Sequence, residues 1–121
     1  MKIDIDSLNI SHHFGGGIYA KETLIPTGYI LVQHKHSFDH LSILSSGQAV
    51  VSEGDSRGII NGPHVLTIKA GVHHSIKALT DCVWFCIHAT SETDIDKIDK
   101  VIIVDGDEEE IRRMLSEDQA A

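Results

Sequence analysis

Between Gly17 and His88 the apolar residues come in short stretches rich in Ile, Val, Leu and Thr, separated by clusters of Gly, Ser, Asp and Asn. This punctuation limits the fold more than any other feature, because β-branched residues suit a pleated, half-buried surface and the residues between them supply turns. It predicts strands over Ile18–Ile25, Tyr29–His36, His40–Ser45, Gln48–Glu53, Arg57–Ile60, His64–Lys69, His74–Leu79 and Cys82–His88. Pro26-Thr27-Gly28, Ser46-Gly47, Gly54-Asp55, Asn61-Gly62-Pro63, Ala70-Gly71 and Thr80-Asp81 supply the connecting turns. No long helical period interrupts the series, so the chain reads as all-β, a sandwich or barrel.

After Thr90 the pattern changes. Thr93 to Asp99 reads as a short helical turn and Val101 to Val104 as one more extended piece. Asp107 then offers an amino-terminal cap with Glu110 three residues on, and Ile111, Met114 and Leu115 fall on one helical face. Between Glu92 and Asp118 there are eleven acids and four bases, whereas the rest of the chain has seven and six. The expected organisation is a β-barrel domain over 1–104, with its core at about 17–90, and an acidic helical tail over 105–121. The tail reads as a solvated helix and takes no site.

A chain of 121 residues has room for one core. The formal charge of −8 and an aromatic share of only 5% disfavour both phosphate tracking and base stacking, so no nucleic-acid partner is expected. The amino terminus carries Lys2, Asp4 and Asp6 where a signal peptide needs apolar residues, and the longest apolar run, Cys82 to Ile87, is far too short to span a membrane. The expectation is a soluble, cytoplasmic protein without membrane contact. Cys82 and Cys86, four apart on one strand, would hold their Cα atoms roughly 13 Å apart, beyond disulfide reach, and read as buried thiols.

The chain has nine histidines, an excess that asks for a chemical reason. His34 and His36 alternate on a predicted strand, so both imidazoles share one face with backbones roughly 6.6 Å apart. His40 follows a segment able to bend, and the next strand can return a third imidazole beside them. His73-His74 opens a distant strand and can supply a fourth nitrogen; because neighbours on a strand face opposite sides, only one of the pair should be a ligand. Imidazole suits Fe, Zn, Ni, Cu and Co alike, so these residues leave the metal open. His88 closes the strand that carries Cys82, Trp84 and Cys86 on one face, and reads either as a pocket residue acting as acid or base, or as a satisfied core histidine. His12, His13 and His64 lie in apparent loops or beside a turn and are expected at the surface. Gly15-Gly16-Gly17 lacks the Lys-Ser/Thr and helix start that a phosphate loop needs.

Gly28, His34, His36, His40 and Gly47 resemble the first motif of the cupin family: Gly, five residues, His, one residue, His, three or four residues, Glu, six residues, Gly. His40 stands where the family usually has Glu. Lys69-Ala70-Gly71-Val72-His73-His74 is similar to the second motif, Pro-x-Gly-x-x-His, with Lys69 in place of the proline and Ala78 in place of the usual asparagine. The resemblance implies a jelly-roll barrel with His34, His36, His40 and His74 at the ligand positions of a divalent transition metal, and commonly a homodimer. The run Cys82 to Thr90 followed by Glu92 to Ile98 also resembles small cupin-like proteins of tailed bacteriophages, which would place the chain in a host cytoplasm. The functional expectation is a mononuclear-metal enzyme of dioxygenase, isomerase or lyase type acting on a small oxygenated molecule. The alternative is a noncatalytic binding or structural module that a metal stiffens.

Overall fold

The computed structural model describes residues 2–4, 9–32 and 38–102, with side chains described over 9–32 and 38–98. Among the described residues ten strands and one helix follow in order: β1 (Lys2–Asp4), β2 (Asn9–Gly15), β3 (Ile18–Ile25), β4 (Ile30–Val32), β5 (His40–Ser46), β6 (Gln48–Glu53), β7 (Ser56–Asn61), β8 (His64–Ile68), β9 (His74–Ala78), β10 (Cys82–Ala89) and α1 (Ile95–Ile102). They form two five-stranded sheets, β1-β4-β9-β6-β7 and β2-β3-β10-β5-β8. Every pairing is antiparallel except β1 with β4.

All eight expected strands form, with ends moved by a few residues, and the expected all-β jelly-roll architecture stands. Two strands lie ahead of the expected core. One of them, β2, reads as a loop in the sequence because Asn, Ser, His and Gly have little intrinsic preference for a strand. Tertiary pairing overrides that preference, since β2 pairs along its whole length with β3 across the two-residue turn Gly16-Gly17. The φ angles there are 60° and 75°, the left-handed pair that a tight hairpin requires and that glycine adopts without a Cβ clash.

A second correction concerns Val101 and Ile102, expected as extended and found in α1. The Asp94 carboxylate accepts from the Asp96 amide at 2.8 Å, and its carbonyl accepts from the Ile98 amide at 3.0 Å, so a capped helix begins here and carries the β-branched residues with it. Ile98 is buried against Tyr19 and Phe14, which fixes the helix beside β2 and β3. The carboxyl-terminal half of the expected strand Tyr29–His36, Ile103 and Val104, and the tail helix from Asp107 lie outside the described residues.

The interior is graded along its axis. Trp84, Leu44, Ile25 and Cys82 from one sheet meet Leu31, Ile76, Ala49 and Ala78 from the other and make a dry end, where each large side chain contributes roughly 1.5–3 kcal/mol by leaving water. Continuing along the same inward faces, β3 presents Lys21 and Tyr19, β10 presents His88, β5 presents His40 and β9 presents His74, all buried. Polar chemistry is therefore gathered at one end of the barrel.

Candidate metal centre

Register places these side chains with little freedom. Cys86 opposes Ser42 on one side and Lys21 on the other, and Tyr19 opposes both His88 and Phe14. The ring centroids of Phe14 and Tyr19 are 4.9 Å apart, those of Tyr19 and His88 6.2 Å, and those of His88 and His40 4.3 Å. Four strands thus contribute one row of rings across the sheet. Phe38 closes edge-on against His88 at 6.1 Å. His12, expected at the surface, instead turns inward, where its Nδ1 lies 2.7 Å from the Tyr19 hydroxyl. His13 and His64 are exposed as expected, His13 within 2.9 Å of Glu22.

His74 is 2% exposed and His40 5%. The His74 Nδ1 lies 3.2 Å from the Val72 carbonyl. A carbonyl only accepts, so Nδ1 carries the proton, and in the neutral ring Nε2 keeps its lone pair for a ligand. That Nε2 is buried and makes no hydrogen bond, although Glu53 Oε2 lies 3.4 Å away. His40 reaches the Ser42 hydroxyl through Nε2 at 3.4 Å. Burial, and then the like charge of His74, push the His40 pKa down to about 4 against a weaker pull from Asp39. His88 is pushed down to about 3 by burial, then by His40 and Lys21. His40 and His88 are therefore neutral at pH 7, the state in which imidazole ligates.

The loop before β9 is tied to the segment before β5. Asp39 Oδ1 accepts from the Ala70 amide at 2.8 Å, and Asp39 Oδ2 lies 3.7 Å from Lys69 Nζ. Lys69, where the motif has proline, thus faces a partner on the strand entry that delivers His40. The ion pair is exposed and adds little. The amide hydrogen bond does more to hold the two motif segments in register, and it keeps the Asp39 carboxyl below its usual range.

His34 and His36 lie outside the described residues, so two of the four expected ligands are on view. Among the described residues no group of three or more His, Cys, Asp or Glu is placed to hold a metal. The two that are described fit one in burial and inward direction, His40 is neutral at pH 7, and His74 adds a buried ring nitrogen without a hydrogen bond. Cys82 and Cys86 are buried thiols outside any disulfide, as expected, and burial raises both pKa values. Sequence reasoning missed Lys21 and Tyr19. The alternation of Tyr19, Lys21, Thr23 and Ile25 along β3 carries the signal, but a lysine in such a row is ordinarily read as the solvent face.

No protein-family profile matches the chain, and no curated protein matches it in sequence. Solved structures do match in shape. A cupin-2 domain protein from Shewanella frigidimarina superposes with a TM-score of 0.56 at 15% identity, covering 67% of this chain and 79% of its own. A cupin 2 conserved barrel domain protein from Salinispora arenicola gives 0.56 at 12% identity, covering 78% and 82%. A salicylate 1,2-dioxygenase from Pseudoaminobacter salicylatoxidans gives 0.60 at 10% identity, over 77% of this chain and 28% of the larger enzyme. The chain has a cupin fold. The resemblance to bacteriophage proteins stays an expectation of sequence. No helix among the described residues is long and apolar enough to cross a membrane.

Proposed function

We propose that this chain is a small metal-binding cupin that holds one divalent transition metal (Fe, Zn, Ni, Cu or Co) through His34, His36, His40 and His74. The observation that carries the reading is His74: buried, anchored through Nδ1 on the Val72 carbonyl, with Nε2 left without a hydrogen bond at the polar end of the barrel. A bound ion would supply Lewis acidity toward an oxygen of a small ligand. The residues around it would exclude water through the Phe14, Tyr19, His88 and His40 row, and would orient the ligand through Tyr19, Lys21 and Ser42. His88, neutral at pH 7, serves there as a hydrogen-bonding group rather than as an acid. A salicylate dioxygenase built on the same barrel supports chemistry of the dioxygenase, isomerase or lyase kind on a small oxygenated molecule, as an analogy of fold alone. The packing of His88 between Tyr19 and His40, as a core ring would sit, favours the second reading, a noncatalytic module stiffened by its metal.

The test is elemental analysis of untagged protein, followed by a metal-edge spectrum that counts nitrogen ligands. One ion per chain, lost in His74→Ala and kept in His13→Ala and His64→Ala, is the expected result. Wild-type protein that takes up none of Zn, Fe, Ni, Cu or Co at micromolar concentration overturns the reading.

We further propose that the chain forms a homodimer through the outer face of the β2-β3-β10-β5-β8 sheet. Phe85 lies between Glu22 and Ile43, Ile87 between Ala20 and Leu41, and Val65 extends the row beyond Ile43. Ile18, Leu24, Leu41 and Val65 are exposed on the same face. Five strands of five to eight residues at about 4.8 Å spacing and about 3.3 Å per residue present a footprint of roughly 500 Å². Two such faces bury about 1,000 Å², the lower bound for a specific interface, so a second copy of the chain suits this surface.

A further inference from the structure

In the inward row of β6, Ala49, Val51 and Glu53 stand opposite Ala78, Ile76 and His74 of β9. Glu53 is the last residue of its strand, and its carboxylate, 45% exposed, sits at the rim of the polar end. Its Oε2 is 3.4 Å from the buried Nε2 of His74 without making a hydrogen bond to it. With Nδ1 turned to the Val72 carbonyl, the buried Nε2 and the Glu53 carboxylate face each other across that gap, two groups that can each ligate a metal ion. Two donors held about 2.1 Å from one ion and about 110° apart at it stand about 3.4 Å from each other.

We infer that Glu53 is a ligand of the metal bound by His74, supplying from β6 the carboxylate that His40 does not supply from β5. This inference rests on the metal-binding reading above and deepens it. The centre then combines neutral imidazoles with one negative oxygen, and its net charge is one unit lower than that of an all-histidine site. Because Glu53 is half exposed at the rim, it is also the ligand that an incoming anionic molecule displaces at least expense.

The experiment uses full-length, untagged protein loaded with Co(II), with affinity measured by chelator competition and the ligand field read from the visible spectrum. His74→Ala, Glu53→Gln and Glu53→Ala are compared with wild type, and the melting temperature of each metal-free protein is recorded. The expected result is a 10- to 100-fold loss of affinity and a shifted spectrum in both Glu53 variants, with metal-free stability unchanged. If wild type and His74→Ala bind Co(II) equally or not at all, the metal reading fails and this inference with it. If wild type binds, His74→Ala does not, and both Glu53 variants match wild type in affinity and spectrum, the metal reading stands and Glu53 is only a neighbour of His74.

Discussion

The imidazoles of His40 and His88 face the barrel interior from neighbouring strands with centroids 4.3 Å apart and planes tilted by 30°. Two groups that would repel as cations are thus packed ring to ring in a buried row, an arrangement stable only while both are neutral. The contact connects His40, the proposed ligand on β5, to the row of Tyr19 and Phe14, and through Phe14 and Tyr19 to Ile98 of α1.

Acid should therefore unfold the metal-free protein through these rings. Both have an ordinary value of 6.5 and are held lower in the fold, His40 at about 4 and His88 at about 3. Between those limits the unfolded chain binds more protons than the folded one, so stability is fully present above pH 6.5 and is lost as pH falls toward 4 and then 3. Each ring contributes a slope of up to about 1.4 kcal/mol per pH unit. Calorimetry is expected to show the melting temperature falling by on the order of 10 °C from about pH 6.5 to 4.5. A constant melting temperature over that range would contradict the neutral-pair account.

Gly47, the last glycine of the first motif, closes the β5–β6 turn at φ 97°. A Cβ there would lie 2.4 Å from the Asp81 carbonyl oxygen and 2.8 Å from Cys82 Sγ. Gly54 also has positive φ, yet a Cβ there meets nothing within 4 Å. Gly47→Ala should lose about 3 kcal/mol or more in urea denaturation, from backbone strain plus a backbone clash, and Gly54→Ala about 1 kcal/mol from strain alone. Equal losses would mean that the turn, and not the close approach of Asp81, explains the glycine.

The strands and the motif spacing are legible because they depend on local pattern: period-2 alternation places Cys82, Trp84, Cys86 and His88 on one face whatever else the chain does. That only one of His73 and His74 faces inward follows from the same rule, and the motif resemblance, not the alternation, singles out His74, which the structure buries. What the pattern cannot carry is anything set by a distant partner. His12 looks like a loop residue until β3 pairs with β2 and brings the Tyr19 hydroxyl to it. Lys21 looks solvated until β10 places Cys86 opposite it. Glu53 looks like an ordinary charged strand end, and only the β6–β9 register reveals that it faces His74. Val101 and Ile102 mislead for the opposite reason, since a local cap at Asp94 outweighs their own strand preference.

The outer sheet face gives the next expectation. Phe85→Asp places a charge at the centre of the apolar rows, and Leu41→Glu places one at a position already half exposed. Wild type should sediment at twice the chain mass, and each variant as a monomer at the same concentration. Phe85 packs partly into its own sheet, so its loss alone could reflect misfolding, whereas Leu41→Glu should keep the wild-type circular dichroism. A wild-type monomer, or a Leu41→Glu dimer as tight as wild type, removes this face as the interface.

Replacing His40 by Glu tests the row of rings and the charge of the centre together. The charge of a His40 cation repels that of His88, helping to hold the His88 pKa down to about 3. A carboxylate at position 40 would favour the His88 cation, so the His88 pKa should rise by at least about one unit, and by more than in His40→Gln, which removes the like charge without adding an opposite one. The ring proton shifts of His88 in a nuclear magnetic resonance titration report this in metal-free protein. Metal binding should survive, because the resembled family usually has Glu at this position, but the added negative charge should weaken binding of oxalate to the metal-loaded variant several-fold in calorimetry. An unmoved His88 titration would show that the two rings do not sense each other, and tighter oxalate binding in the Glu variant would sink the charge argument while leaving the ring contact intact.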